Sequence, residues 1–253
     1  MTWLQPRLPP AYRLVGYGSI GSTNDEAKRL ALEGAGERTL VWALEQTAGR
    51  GRRGHAWASP HGNLYLSLIL RPAYSVGRAA QLGFVAALAV GDTLGASSSG
   101  LHGLSYKWPN DVLVNGRKIA GILLESELRE GETPEFVILG VGINLASSPH
   151  GTELPATSIA EQGLGPLSPA DALEKFAQNF HAWERRWSED GFGPVRTAWR
   201  TRATSLGQPI RVQLETATLY GRFLDIDQRG ALLLESAGEL RRISAGEIFP
   251  ANL

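Results

Sequence analysis

The chain has 253 residues, with 25 Lys and Arg against 25 Asp and Glu. That is enough for one large domain or two, with no overall field to draw it onto nucleic acid or a membrane. Zero cysteines exclude disulfides and thiolate chemistry, and five scattered histidines without HExxH-like spacing argue against a histidine-based metal site. The N-terminus lacks the basic-then-apolar layout of a signal peptide, and no run of ~18 apolar residues is present to span a membrane, so a cytoplasmic location is expected.

After a proline-rich start, Ser22-Thr23-Asn24-Asp25-Glu26 reads as the beginning of a helix. Thr23 and Glu26 have capping-box spacing, Ala27, Leu30 and Ala31 form an apolar stripe, and Gly34 is the stop. Such a helix N-terminus also presents hydroxyls and N–H groups to a polar ligand. The apolar run Leu40 to Leu44 predicts a buried strand over 39–45.

Next comes Gln46 to Trp57, QTAGRGRRGHAW, in which three glycines alternate with three arginines over Gly49 to Gly54. Glycine lets the backbone take positive φ and approach a ligand closely. Successive free N–H groups in such a turn form an anion site, and arginine adds planar forks suited to carboxylate and phosphate. The same six residues also fit a solvated basic loop or an RNA-contacting patch. Trp57 and Ser59-Pro60, followed by another strand, favour a loop pinned at both ends.

Leu64 to Leu70 predicts a strand with leucines on one face and Tyr65, Ser67 and Ile69 on the other. Residues 76–94 carry Ala79, Leu82, Ala86, Val90 and Leu94 at helical spacing, a packed core helix. A Gly/Ser loop, Gly95 to Gly103, leads to Lys107-Trp108-Pro109-Asn110-Asp111 and a hairpin turning at Asn115-Gly116. The two-residue turn sets Leu113 opposite Lys118 and Asp111 opposite Ala120, so Asp111, Leu113, Lys118 and Ala120 share one face. Asp111 and Lys118 are then diagonal neighbours roughly 7–8 Å apart at Cα, with room for something between them. A surface ion pair fits this spacing too; the apolar neighbours Ile119, Ile122, Leu123 and Leu124 argue for an interior strand.

Phe136 to Leu145 is a further buried strand, thinned by Gly140 and Gly142 where a backbone or a flat ligand approaches. Asn144 at its end either reads a base edge or caps the strand. A Pro, Gly and Ser-rich loop over 146–166 precedes Ser168-Pro169, which opens a helix to about Glu189. Phe176, Phe180, Trp183 and Trp187 supply its core stripe, and a short helix covers about 194–202. From Leu206 short strands take over, at Ile210 to Leu214, Leu219 to Ile226, Ala231 to Leu234 and Leu240 to Ile243. They suggest a small β-barrel too small to act alone.

Ser22-Thr23-Asn24, Gln46, Gly49 to Gly54, Trp57, Lys107 to Asp111, Lys118 to Gly121 and Gly142-Ile143-Asn144 together resemble the biotin–protein ligase family. The resemblance keeps that family's order and spacing over nearly the whole chain. It implies an α+β fold: a mixed sheet flanked by helices, related to class II tRNA synthetases, over 1–205, and an SH3-like domain over 206–253. It also implies two half-reactions. Biotin's carboxylate attacks the α-phosphate of Mg-ATP to give biotinyl-5′-AMP and pyrophosphate. A lysine of a biotin-carrier domain, such as that of acetyl-CoA carboxylase, then attacks the adenylate.

By the same resemblance, Ser22, Thr23, Asn24, Gln46, Arg50, Gly51, Arg52 and Lys118 bind biotin. Arg52, Trp57, Lys107, Asn110, Lys118 and Asn144 bind ATP, and Lys118, Arg52 and Asp111 are catalytic. His55 departs from the arginine that relatives often carry there, which leaves the γ-phosphate contact unassigned. Only 21 residues precede Ser22, so the DNA-binding arm of some relatives is not expected, nor is a nucleic-acid partner. A homodimer through an exposed sheet edge follows from the family.

Two rival readings remain at this level. A lipoate or octanoate ligase or transferase shares the sheet architecture, but Ser22, Thr23 and Gln46 suit a ureido group better than a plain fatty chain. A nucleic-acid-binding module is opposed by the balanced charge and by the interior position of Lys118.

Overall fold

A computed structural model describes residues 6–97, 101–128 and 133–251. The first five residues and part of the expected Gly/Ser loop, 98–100, lie outside the described residues. Strands β1 (Arg13–Tyr17), β2 (Thr39–Ala43), β3 (Leu64–Leu70), β4 (Leu104–Lys107), β5 (Asp111–Val114), β6 (Arg117–Leu128) and β7 (Pro134–Ile143) form one sheet. Its order is β1-β2-β3-β7-β6-β5-β4. Only β1 and β2 run parallel, so the sheet is mixed.

Alternation along β3 shows how the faces are assigned. Leu64, Leu66, Leu68 and Leu70 enter the main core with helices α3 (Leu82–Ser97), α4 (Pro169–Asp190) and α5 (Phe192–Arg200). Ile69 turns the other way, onto Ala27 and Ala31 of α1 (Thr23–Leu32), with Val41, Phe136 and Ile138. Phe176, Phe180, Trp187 and Trp199 are fully buried on the α3 side, and each such side chain contributes about 1.5–3 kcal/mol or more in burial. α1 covers only part of its face, and the cavity described below occupies the rest.

The structure changes several expectations. Ser22, not Thr23, caps α1, accepting from Asp25 N; Thr23 turns its hydroxyl to Gln46 instead. The expected helix over 76–94 is two helices, α2 (Val76–Ala79) and α3, and the second continues through Gly95. The break is where the Gln81 amide is used, accepting from Trp187 Nε1 at 2.8 Å and donating to Gln228 O at 3.1 Å. By length and mean composition alone Val76–Ala96 could cross a membrane, but most of it is buried in the core, as the core helix of the sequence reading requires. Strands β1 and β4 were not anticipated, being short and only partly buried.

Asn115 and Gly116 both have positive φ, at 51° and 73°, as the predicted turn requires. The register beyond it differs from the expectation. Leu113 faces Lys118, but Val112 faces Ala120 and Asp111 faces Gly121, because a bulge intervenes between Val112 and Leu113. The bulge adds a residue to β6, sends Ala120 to the core, and leaves Lys118 and Gly121 on the same face as Asp111.

A second sheet, β8 (Pro209–Gln213), β9 (Thr218–Ile226), β10 (Leu232–Ser236), β11 (Glu239–Ile243) and β12 (Glu247–Pro250), is antiparallel with order β11-β10-β9-β8-β12. Strand β12 was not anticipated; it is four residues long and ends in proline. Polar contacts fix this sheet to the rest of the chain: Trp108 Nε1, in the turn between β4 and β5, donates to Gly230 O at 3.0 Å, and Arg196 of α5 pairs with Asp225 at 2.6 Å.

Candidate active site

The uncovered half of the α1 face has a floor of small residues. Ser67 pairs with Gly140 and Gly140 with Leu123; Tyr65 pairs with Gly142 and Gly142 with Gly121. Above this floor lies a cavity of about 680 Å³. Every residue expected from the sequence lines it: Ser22, Thr23, Asn24, Gln46, Arg50, Gly51, Arg52, Trp57, Lys107, Asn110, Asp111, Lys118 and Asn144.

At the α1 end the lining is polar and mostly uncharged. Thr23 donates to Gln46 Oε1 from its backbone N at 2.8 Å and from Oγ1 at 3.0 Å. Gln46 Nε2 donates to Ser59 Oγ at 2.9 Å, and Ser59 Oγ donates to Trp57 O at 2.8 Å. The Gln46 amide therefore has one orientation. Asn24 lies against the sheet where a Cβ on Gly140 would come within 2.2 Å of its Oδ1. Its amide is used internally, accepting from Ser67 Oγ and donating to Glu125 Oε2 at 2.7 Å. Ser22 serves as the helix cap.

The three arginines of the glycine-rich loop have different partners. Arg50 pairs with Asp25 and with Glu125 Oε1, the latter at 3.1 Å. Arg52 donates to Gly246 O at 3.0 Å and Asn110 Oδ1 at 3.4 Å, and Arg53 to Gln213 O at 3.2 Å. Arg52 thus meets neutral oxygens. Burial lowers its pKa from the usual arginine value, opposed by the Glu247 carboxylate; the guanidinium stays charged.

At the far end Asp111 is buried, 5% exposed, and engaged by two cations: Lys118 Nζ at 2.6 Å and Lys107 Nζ at 3.4 Å. Burial opposes its ionisation, but the two ammonium groups outweigh that and hold its carboxyl below the usual carboxylate range. The gap expected between Asp111 and Lys118 is therefore closed by direct contact. The bulged register, which aims Lys118 over Gly121, is the cause.

Trp57 lies on the floor itself. A Cβ on Gly142 would come within 2.6 Å of its Nε1, and one on Gly121 within 3.0 Å of its Cζ3. The flat object that the glycines admit is thus this indole. Lys118 Nζ sits 5.3 Å from its ring centroid, and Trp57 Nε1 is buried without a partner. Asn144 donates through Nδ2 to Thr157 O at 3.1 Å, while its Oδ1 is buried and unpartnered. Residues 155–157 run beside Lys118, with Lys118 N donating to Pro155 O at 2.7 Å.

The sequence reading missed several lining groups. Thr152, Glu153 and Leu154 come from the 146–166 loop, and Glu247 and Phe249 from β12. Phe249 lies between Lys107, 5.1 Å from its centroid, and Arg211, at 4.6 Å. Glu247 and Phe249 enter through the docking of the second sheet, and Thr152 to Leu154 through the loop that leads to 155–157 beside Lys118, and no spacing within one segment signals either.

Among the described residues no group of three His, Asp or Glu is placed to hold a metal. Asp111, the most enclosed carboxylate of the site, is already compensated by two lysines. The donors present do not build a protein magnesium cage, and magnesium would come as part of the nucleotide substrate, where phosphates and water supply most ligands.

Residues 17–144 match the Biotin/lipoate A/B protein ligase family, and residues 205–249 match the Biotin protein ligase C terminal domain. The chain is 42% identical over 233 residues to a biotin–[acetyl-CoA-carboxylase] ligase of Paracoccus denitrificans, covering 90% of this chain and 96% of that one. It is 35% identical to the bifunctional ligase/repressor BirA of Bacillus subtilis, over 93% of this chain and 73% of that one. The biotin protein ligase of Aquifex aeolicus in complex with biotin and ATP superposes with a TM-score of 0.79 at 26% identity, covering 94% and 97% of the two chains. That of Leishmania major in complex with biotinyl-5-AMP gives 0.68 at 25% identity, covering 94% and 100%. With this sequence match across both sheets, and the expected residues gathered in one cavity, the chain belongs to the biotin–protein ligase family.

Proposed function

We propose that this chain attaches biotin to a lysine of a biotin-carrier protein, using ATP and passing through biotinyl-5′-AMP. The observation that carries the reading is one cavity that joins two chemically different ends. Thr23 and Gln46 supply an uncharged, oriented hydrogen-bonding end; Arg52, Lys107 and Lys118 supply a cationic one. A substrate with a polar neutral head and an anionic tail fits that layout, with the tail delivered to a nucleotide phosphate.

In the first half-reaction a carboxylate oxygen attacks the α-phosphorus and the bond to pyrophosphate breaks. Two anions must approach, so preorganised cations lower their repulsion and stabilise charge in the transition state. Lys118 is pinned for this by Asp111 and by the 155–157 segment. Arg52 can exchange its neutral carbonyl partner for an anion. The unpartnered Trp57 Nε1 and Asn144 Oδ1 support adenine beside them, the latter oxygen accepting from an exocyclic amine.

In the second half-reaction the carrier's neutral lysine amine attacks the acyl carbon, the bond to AMP breaks, and the proton lost from nitrogen passes to water. A free lysine has a pKa of about 10.4. Asp111, held by two lysines, serves as the positioning residue for Lys118 and is not free to take that proton.

The domain boundary is placed at 205/206, supported by the positive φ of Ser205 and Gly207. Of the sheet's two edges, β4 is covered by 202–204, since Tyr106 N donates to Arg202 O and Thr204 N to Tyr106 O. That leaves β1 as the edge for the proposed homodimer. The test of the function is biotin-dependent ATP–pyrophosphate exchange run beside lipoate and octanoate, followed by transfer to an apo carrier domain. Exchange driven by lipoate or octanoate, and not by biotin, overturns the assignment.

A further inference from the structure

Arg50 and Arg52 are two residues apart, yet their surroundings are opposite in kind. Arg52 and Arg53 lean on uncharged oxygens, among them the Gly246 and Gln213 carbonyls of the second sheet. Arg50 lies in a fork of two carboxylates, Asp25 of α1 and Glu125 of β6. Arg50 is 36%, Glu125 35% and Asp25 58% exposed, so Glu125 is the less solvated of its two partners. The Asp25 and Glu125 carboxylates raise the Arg50 pKa above its usual value.

Glu125 does more than pair with Arg50. Its Oε2 accepts from Asn24 Nδ2 at 2.7 Å, while Oε1 takes Arg50 Nη1 at 3.1 Å. Asn24 neighbours Thr23, which fixes Gln46. The Glu125 carboxylate therefore ties three segments that surround the cavity: the start of α1, strand β6 and the glycine-rich loop. It stands one row beyond Leu123 on the cavity face, opposite Ile138, and does not line the cavity itself.

We propose that Glu125, assisted by Asp25, is the positioning residue that anchors the glycine-rich loop through Arg50, so that Arg50 acts as a hinge pin and Arg52 acts on the ligand. This rests on the ligase reading above. Hydrogen bonds to charged partners are about twice as strong as those between neutral groups. An incoming carboxylate or phosphate displaces carbonyl oxygens from Arg52 more easily than it displaces two carboxylates from Arg50. The stem beneath Arg50 is closed by backbone bonds, Trp57 N to Gly49 O at 2.9 Å and Gly51 N to His55 O at 2.7 Å. Anchoring at Arg50 therefore fixes the whole hairpin and leaves its tip to respond.

The experiment compares wild type with Glu125→Gln in the full-length protein. Glutamine keeps an acceptor for the Asn24 amide and removes only the charge. Without substrates, trypsin cleavage after Arg50, Arg52 or Arg53 is expected to quicken about two- to fivefold, the range for a partly exposed ion pair. Raising salt quickens wild-type cleavage and has less effect on the variant. With substrates, the KM for biotin and the escape rate of the acyl-adenylate rise by a similar factor, and kcat for pyrophosphate exchange falls by less. Asp25→Asn gives the same pattern more weakly.

Unchanged cleavage and unchanged KM overturn the proposal. A general loss, with the melting temperature, kcat and cleavage throughout the chain all affected together, also overturns it, because that is the signature of a merely structural residue. If wild type shows no biotin-dependent exchange, the ligase reading fails, while the cleavage comparison still decides whether Glu125 anchors the loop.

Discussion

Replacing Asp111 by asparagine keeps the shape of the side chain and removes the charge that two lysines share. Lys118 lies 2.6 Å and Lys107 3.4 Å from its oxygens. Without the carboxylate these ammonium groups face one another; at about 5 Å and an effective dielectric of 20 they repel by ~3 kcal/mol. Breaking a buried pair costs about 3–5 kcal/mol; Lys118 is 24% exposed and can turn towards water, so a loss of about 2–4 kcal/mol is expected. Lys118 then leaves its preorganised position over the cavity. Both half-reactions fall together, by about 10²–10³, measured as pyrophosphate exchange and as transfer from preformed biotinyl-AMP in protein shown to be folded. The folded carboxyl ionises below its ordinary value of 3.8. Its stabilisation is complete above that value and is lost as pH falls through the folded pKa. The stability gap between wild type and Asp111→Asn is therefore flat across neutral pH and closes only below about pH 4. Intact exchange with slowed transfer would falsify this reasoning and make Asp111 the proton acceptor of the second step.

Three further changes probe other parts of the site. Gly142→Ala puts a Cβ within 2.6 Å of Trp57 Nε1 and lifts the indole from the floor, so the KM for ATP should rise about tenfold, ~1.4 kcal/mol, with a smaller change for biotin. Equal changes in the two constants would count against the adenine placement. Arg52→Gly should still form biotinyl-AMP but release it early, labelling stray lysines; unaltered retention of the adenylate contradicts that role. Truncation after Thr204 removes the carbonyls of Gln213, Gly230 and Gly246 that bond Arg53, Trp108 and Arg52. It should abolish most activity or folding, and full transfer by a folded truncation shows the second sheet to be dispensable.

Where a segment carries its own signal, the sequence was sufficient. The alternation of Leu64 to Leu70 named both faces of β3, Ser168-Pro169 marked the start of α4, and Asn115-Gly116 marked the turn. The same holds for the part of the cavity lining that sits in short motifs whose chemistry is local, from Ser22 to Asn24, Gln46 to Trp57 and Lys107 to Asp111. What could not be read depends on contacts between distant segments. β1 pairs with β2 across the whole of α1, while β4, though it pairs with the adjacent β5, is only four residues long and half-buried at one end, too short for alternation to show. The bulge at β5 and β6 moved Asp111 by one register step and turned an expected gap into an ion pair. Phe249 enters the site only because one sheet docks on another, and Glu125, 75 residues from Arg50, looked like any polar residue near a strand end.

The balanced composition hides a strong local asymmetry, and that asymmetry locates the chemistry. At the α1 end Asp25 and Glu125 more than compensate Arg50, so this region carries no excess positive charge to compete for an anion. At the opposite end one carboxylate, Asp111, is shared by Lys107 and Lys118, and Arg52 reaches only neutral oxygens. Even with the Glu247 carboxylate acting on Arg52, the positive excess among these residues is therefore confined to the end where, on the proposed reading, an α-phosphate and a carboxylate meet. Low-dielectric walls such as Phe249 and Trp57 focus that charge across the cavity instead of letting water dissipate it. A chain with zero net charge can thus draw in two mutually repelling anions, because its positive excess is local and its orientation is set by buried partners.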